Sequence, residues 1–575
     1  MKTKKGLAIL LAVMMIASLF TGCGKKGEEK TGNNPTTPTT KDGDSTDTGE
    51  EPTELASKDP ITFTFYNADG KENPWSDPVA QKITEITGVT LETDYPVDGT
   101  DQRVALMIAS EEYPDMIFAK GDGDALIEAG ALIDLTPLID QYGPNIKKLY
   151  GDYYNRLRYS EEDQGIYQLS QAGVGNIPFT SSGTAQLQFD VLAANDYKVP
   201  KTLAEYEKYI KDYMVANPQI DGMDTIGISL SASDWHWYIT LANPSGFIAN
   251  ASPDNGQWII NDANNYQATY KHAADGQKEY YQWLNRMYNE GVLDPDFATQ
   301  THDDYIAKVS SGRVLALMDA NWDYADAERV LKADGKYNRT YAGLPVTMRA
   351  DQKAPSLADQ GLTIGQGVGI TTACEDPVRA IQFIDWMCTD EAQVFTNWGI
   401  EGVNYLIDEN GMRYRTEEEI KKANEDVNYK KESGVGFHNY PWPAHGNGVE
   451  DATGNTYTTQ SKVSIIAQYT EAEQAAVNAW GVEMLTDIFP QPDDFNIIPY
   501  SPVWAQSMPP EFNDYATVLD EVAWPGLISC VICPESEFEA KWQQLQDKMK
   551  SVGIEEANGM LTEIIQKQVA FWSQN

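Results

Sequence analysis

Ile61-Thr62-Phe63-Thr64-Phe65-Tyr66 is followed by Val79, Ile83 and Ile86, by Gly88, and then by Val89-Thr90-Leu91-Glu92-Thr93. The first run alternates apolar and polar residues, the period of a half-buried strand. Val79, Ile83 and Ile86 fall on one face of a helix, and Gly88 is suited to close it. The run from Val89 reads as a second strand. Val104 to Ala109 predicts another helix, and Asp115-Met116-Ile117-Phe118 a short third strand. Strand, helix, strand in succession implies a parallel sheet covered by helices, because parallel neighbours need a crossover.

The same rhythm returns after Phe189. Thr202 is a candidate N-cap with Glu205 three residues on, a capping box, ahead of an apolar face of Leu203, Tyr206, Ile210, Tyr213 and Met214. Glu279 to Glu290 reads as a helix carrying Tyr280, Trp283, Leu284, Met287 and Tyr288, with Gly291 as its stop. Asp376-Pro377 starts another, with Val378, Ile381 and Ile384. Phe538, Trp542, Leu545 and Met549 mark a long terminal helix. No repeat of fixed period occurs.

Upstream of this body, Lys2, Lys4 and Lys5 precede an apolar run from Gly6 to Gly22. A basic start, a short apolar core and small residues make an export signal. The core is short for a membrane span. Phe20-Thr21-Gly22-Cys23 resembles the lipobox of bacterial lipoproteins, which implies a signal peptide over 1–22 and a lipidated Cys23. Residues 23–58 hold no aromatic residue and one large aliphatic, Leu55. Such a segment buries too little apolar surface to offset the entropy of ordering it. It is expected to be a flexible leash reaching on the order of 30 Å, tethering the body to the outer face of a membrane.

The chain has 575 residues and a net charge of −43. That balance argues against nucleic acid, which needs a basic footprint. After residue 58 the chain is long enough for two or more cores, and no further stretch reads as a bilayer span. Cys374, Cys388, Cys530 and Cys533 make no disulfide framework. Cys530-Val531-Ile532-Cys533 is a CxxC inside the apolar run from Leu527 to Ile532, which reads as a buried strand with structural cysteines. No phosphate loop, HExxH or GxSxG is present. Gly365-Gln366-Gly367-Val368-Gly369 lacks dinucleotide spacing and reads as a turn between strands. The chain is not expected to be an enzyme, although an acid/base pair for glycoside cleavage can hide among its many carboxylates.

Several stretches together resemble the extracellular solute-binding proteins of family 1, lipoproteins that feed ABC importers, in their large oligosaccharide-binding branch. They are Val199-Pro200-Lys201-Thr202-Leu203-Ala204-Glu205-Tyr206, Glu290-Gly291-Val292-Leu293-Asp294-Pro295-Asp296-Phe297-Ala298, Ser311-Gly312-Arg313-Val314-Leu315-Ala316-Leu317-Met318 and Trp398-Gly399-Ile400-Glu401-Gly402-Val403-Asn404-Tyr405. The resemblance implies a two-lobed periplasmic-binding-protein-like α/β fold. Each lobe would be a mainly parallel sheet flanked by helices, and the two would be joined by a hinge. Crossings near Gly183 and Leu344 put 59–183 plus 345–480 in the first lobe and 184–344 plus 481–575 in the second. It further implies a monomer that passes its cargo to ABC permease subunits. Some members carry an acidic calcium loop after the helix that Thr202 would cap. Here Asn217-Pro218-Gln219-Ile220-Asp221-Gly222-Met223-Asp224 keeps Asp221 and Asp224 but loses the alternating oxygen ligands. A tight turn without a cofactor is expected there, with calcium as the alternative.

A sugar has apolar C–H faces and polar edges, so its site needs flat aromatic rings and rim carboxylates or amides. Trp322 and Trp442 are the leading candidates, Trp322 because it follows a strand end. Trp235, Trp237, Tyr324, Tyr440 and Trp75 are further aromatic candidates, and Asp115, Glu401 and Asp323 are candidate acceptors. Asn73-Pro74-Trp75 and Pro502-Val503-Trp504 are two of the aromatic loops. An oligosaccharide receptor is the leading expectation. A peptide receptor of the same fold, and a surface glycoside hydrolase or lectin, are the competing readings.

Overall fold

In the computed structural model the opening alternation forms strand β1 (Ile61–Asn67), with Phe63 and Phe65 turned into the core. Residues 57–573 are described, apart from 71–73, 97–101, 172, 182, 255, 359–361, 363, 365 and 496–507. The signal segment, Cys23, most of the leash, Asn73 and Pro502-Val503-Trp504 therefore lie outside the described residues.

Helix α1 (Pro78–Thr87) starts at Asp77, whose side chain accepts from the Ala80 N–H, and ends at Gly88 in the left-handed region at φ 76°. A Cβ at Gly88 would stand 2.4 Å from the Lys58 carbonyl oxygen, so only glycine fits. Strand β2 (Val89–Asp94) pairs in parallel with β1, Ile61 opposite Val89. Helix α2 (Arg103–Ser110) leads to strand β3 (Met116–Phe118), parallel to β1 on its other side.

Two later strands complete this first sheet, β4 (Leu169–Ser170) and a return segment described below. Strand β5 (Thr184–Gln188) opens the second sheet. Helix α3 (Leu203–Ala216) carries the Thr202–Glu205 capping box. Strand β6 (Ile226–Ser229), helix α4 (Gln277–Asn289), helix α5 (His302–Ser310), strand β7 (Val314–Asp319) and strand β8 (Tyr341–Leu344) follow. The second sheet runs β8-β5-β7-β6. Neighbours β7 and β6 pair in parallel, and β5 is antiparallel to both β7 and β8, so β8, β7 and β6 share one direction.

The chain then returns to the first sheet as β9 (Gly367–Ile370), which lies antiparallel between β3 and β4. The stretch expected to be a turn is thus a strand. Its glycines serve close approach: a Cβ at Gly367 would stand 2.4 Å from the Leu169 carbonyl oxygen. The first sheet runs β2-β1-β3-β9-β4. Each sheet is mainly parallel with one reversed strand, β9 in the first and β5 in the second, and these are the strands the chain enters on passing from one sheet to the other.

Helix α6 (Pro377–Met387) packs on the first sheet, capped by Asp376. Helix α7 (Pro510–Ile532) contains the apolar run expected to be a buried strand. It also has the length and composition of a bilayer span. Here Leu519, Ala523, Leu527 and Cys530 are wholly buried in the second core. The Asn285 side-chain amide donates to the Cys530, Val531 and Cys533 carbonyls at 3.0, 2.9 and 2.7 Å, closing the helix end. Cys530 and Cys533 are buried free thiols, and burial pushes the Cys530 thiol up to about 12. The expected terminal helix is two, α8 (Phe538–Ser551) and α9 (Ile554–Trp572), broken at Gly553.

Core residues alternate between two clusters along the chain. Phe63 to Leu169 and Leu362 to Trp442 belong to one cluster; Ala185 to Val346 and Ala472 to Ile565 belong to the other. This is a two-lobed α/β architecture. The Asn217–Asp224 stretch is a hairpin, with Asp221 and Gly222 both at positive φ in its turn. Asp221 accepts from Lys336 and Asp224 from Gln219, so each carboxylate is engaged by a different side chain.

Candidate ligand-binding cleft

A cavity of about 1000 Å³ opens between the lobes. The crossing segment contributes Asn176 and Phe179; Tyr153 and Asn447 line the first-lobe side, and Asn243 and Trp322 the second. Three amides among aromatic rings offer both donors and acceptors against apolar faces, the mixture a solute with polar edges requires.

Trp322 follows β7 and Trp235 follows β6, so both stand at the carboxyl ends of adjacent parallel strands, where α/β sheets collect ligands. They are 56% and 47% exposed. Their rings are parallel within 8° at 6.3 Å, and Trp235 stacks in turn on His236 at 3.9 Å. His236 stacks on His302 at 3.8 Å. Asp323 points the other way from Trp322. Its side chain is 4% exposed, 3.6 Å from His236 Nε2 and 3.4 Å from His302 Nε2. Burial, with the charge of Asp234, outweighs His302 and raises its pKa. It lies beneath the tryptophan pair and lines neither cavity.

A second, smaller cavity of about 250 Å³ sits at the carboxyl ends of β1 and β2. It brings together three of the expected aromatic residues, Trp75, Tyr440 and Trp442. The Tyr440 hydroxyl donates to Asp69 at 2.9 Å, and Asp69 also pairs with Lys120. Trp75 Nε1 donates to Thr84. Trp442 is 3% exposed, with Phe65 stacked on it at 5.2 Å and Phe383 against it edge-on. It is the floor of this cup rather than an open platform. His445 stacks on Tyr457 at 4.2 Å.

The other candidates line neither cavity. Trp237 is 2% exposed and stacked on Trp524 inside the second core. Tyr324 is buried edge-on against Tyr341. Asp115 accepts from the Thr64 N–H and hydroxyl at 2.8 and 2.7 Å, at the amino end of β3. Glu401 is exposed in a turn that bridges to Tyr405 and lines neither cavity. The crossing-segment residues Asn176 and Phe179 were missed, because an irregular segment gives no periodic signal.

Two α/β lobes, a cavity between them and aromatic rings at strand ends form the architecture of a solute-binding protein. The chain belongs to the bacterial extracellular solute-binding proteins, whose family model matches residues 79–399. It is 25% identical over 358 residues to a fructooligosaccharide ABC transporter substrate-binding protein of Streptococcus pneumoniae (serotype 4, strain TIGR4). That match covers 59% of this chain and 63% of the relative, just under two thirds of its length. A lipoprotein of Bacillus subtilis (strain 168) is 21% identical over 72% of this chain and 79% of its own. Among solved structures, the S. pneumoniae protein in complex with kestose superposes with a TM-score of 0.63 at 17% identity, covering 89% of this chain and 100% of that one. An alginate-binding protein crystallised without calcium gives 0.63 at 16%, over 89% and 99%.

Proposed function

We propose that this protein captures an oligosaccharide between its lobes and delivers it, chemically unchanged, to the transmembrane subunits of an ABC importer. One observation carries the reading: a cavity of about 1000 Å³ between the lobes that combines amide edges with the half-exposed Trp322 ring. The ring supplies a flat apolar surface for C–H faces, and Asn176, Asn243 and Asn447 supply bonds to hydroxyls. The relatives' cargoes, fructooligosaccharide and kestose, support the same class.

In this reading the chain crosses between lobes near Gly183 and Leu344, and the lobes close around the cargo. The monomer is moored through a lipidated Cys23 on the outer face of the membrane. Release without chemistry fits the position of the raised-pKa acids Asp319 and Asp323, which lie under the platform and line neither cavity. Cargo recognition runs through Trp322 and Trp235, with Trp75 and Tyr440 as a second contact zone. No residue in this reading depends on calcium; one of the solved relatives is described as an EF-hand mutant.

The test is to release whatever ligand survives native purification, identify it by mass spectrometry, and then titrate an oligosaccharide panel while watching melting temperature and product formation. Stabilisation by sugars without new products supports the proposal. Stabilisation by peptides alone, or the appearance of shorter sugars, overturns it.

A further inference from the structure

Beneath the tryptophan platform lies a cluster that solute binding does not use. His236 and Asp323 follow adjacent strands β6 and β7, and His302 is the first residue of helix α5. One donor atom from each comes within 4.8 Å of the others. We propose that His236 Nε2, His302 Nε2 and the Asp323 carboxylate form a site for a divalent transition-metal ion of the zinc type.

Four features point to a metal. First, His236 Nδ1 is 2.6 Å from Asp234 Oδ1, which sets the tautomer and turns Nε2, as a lone-pair donor, toward Asp323. A carboxylate behind a ligating histidine is the usual outer partner of such a ligand. Second, His302 Nε2 stands 3.4 Å from the Asp323 carboxylate and its ring lies 3.8 Å from the His236 ring, so two imidazoles crowd one acid. Third, Asp323 is nearly buried and its Oδ2 receives no hydrogen bond from any donor among the described residues. Its ionic neighbours are the two histidines, and no lysine or arginine pairs with it among the described residues. Asp319 stands beside it, wholly buried and bonded by the Tyr305 hydroxyl at 2.6 Å. Among the described residues no lysine or arginine pairs with either carboxylate, and a bound ion would balance them. Fourth, two imidazoles and one carboxylate suit zinc and its neighbours, whereas calcium and magnesium prefer all-oxygen sets.

The two imidazole planes lie parallel, so both Nε2 atoms reach one ion only if a ring turns. His302 is the ring that turns: its Nδ1 has no hydrogen-bond partner, while Asp234 fixes His236. Three protein ligands leave a fourth position for water. An ion there ties the loop after β6 to the loop after β7 and so holds Trp235 and Trp322 against each other.

The experiment uses the full chain, stripped with a chelator and titrated with zinc chloride by calorimetry, with Co²⁺ absorption as a second readout. Expected are one ion per chain, a higher melting temperature with zinc, and a cobalt spectrum without a thiolate charge-transfer band. His302→Phe, which keeps the ring stack, and Asp323→Asn should each abolish binding. Asp234→Asn should weaken it about 10- to 100-fold. The cobalt spectrum of the unaltered protein needs no variant to fold. Zinc uptake no greater than in the H302F/D323N double variant, uptake indifferent to these substitutions, or a thiolate band assigning the metal to Cys530 and Cys533 would each overturn the proposal.

Discussion

Trp322→Ala tests the cleft most directly. The residue is 56% exposed. Taking about 200 Å² for a tryptophan side chain, roughly 110 Å² is open to a solute. A sugar ring lying on one face covers about half of that. At ~25 cal/mol per Å² the lost burial is about 1.4 kcal/mol, close to a tenfold rise in Kd. Truncation also uncovers Trp235, stacked behind at 6.3 Å, which offers the sugar a partial substitute and keeps the loss from growing much larger. Because the residue is more than half exposed and belongs to no core cluster, stability should change by no more than about 0.5 kcal/mol. The assay is calorimetric titration with the oligosaccharide recovered from the native protein, beside a thermal melt. An unchanged Kd with an intact fold would remove Trp322 from the contact surface and refute the reasoning.

Three further outcomes separate support from recognition. Trp237→Ala, two residues from Trp235 but buried against Trp524, should cost about 3–5 kcal/mol of stability, read by denaturant unfolding; a loss of affinity without destabilisation would contradict its place in the core. Asn285→Ala removes the amide that closes the α7 end on three carbonyls, and should lower stability by about 1–3 kcal/mol; an unchanged melt would show those carbonyls satisfied otherwise. Burial raises the Asp77 pKa, but the His438 hydrogen bond and charge and the Ala80 N–H outweigh it and leave it lowered from 3.8. A depressed carboxyl stabilises fully above its unfolded pKa and progressively less as pH falls below it. Asp77→Asn should therefore lower the melting temperature at neutral pH and flatten its decline below about pH 4; parallel melting curves across that range would refute the assignment.

Much of the scaffold was legible because it is local. Asp77-Pro78 and Gly88 bracket a helix by capping chemistry alone, and Thr202 with Glu205 does the same. The CxxC region was not, because an all-apolar run reads alike as a buried strand or the end of a buried helix, and only Asn285 from another helix settles it. Gly367 misled for a related reason: a glycine that frees a turn and one that admits a neighbouring backbone look the same in one dimension. In the cleft, the alternation of Trp235, His236 and Trp237 hid a division of labour. Trp235 faces solvent and Trp237 the interior, a choice made by the turn after β6 rather than by residue type. His302 went unnoticed because its neighbours His236 and Asp323 are distant in sequence.

The weaving of the chain between its two cores has a consequence for biogenesis. Neither half is a contiguous segment, and helices α7, α8 and α9 fill the second core. That lobe thus stays unfinished until helix α9 has emerged, while the first needs only the chain through Trp442. A molecule truncated shortly before its final helices would display one finished jaw and one molten one, ready prey for surface proteases.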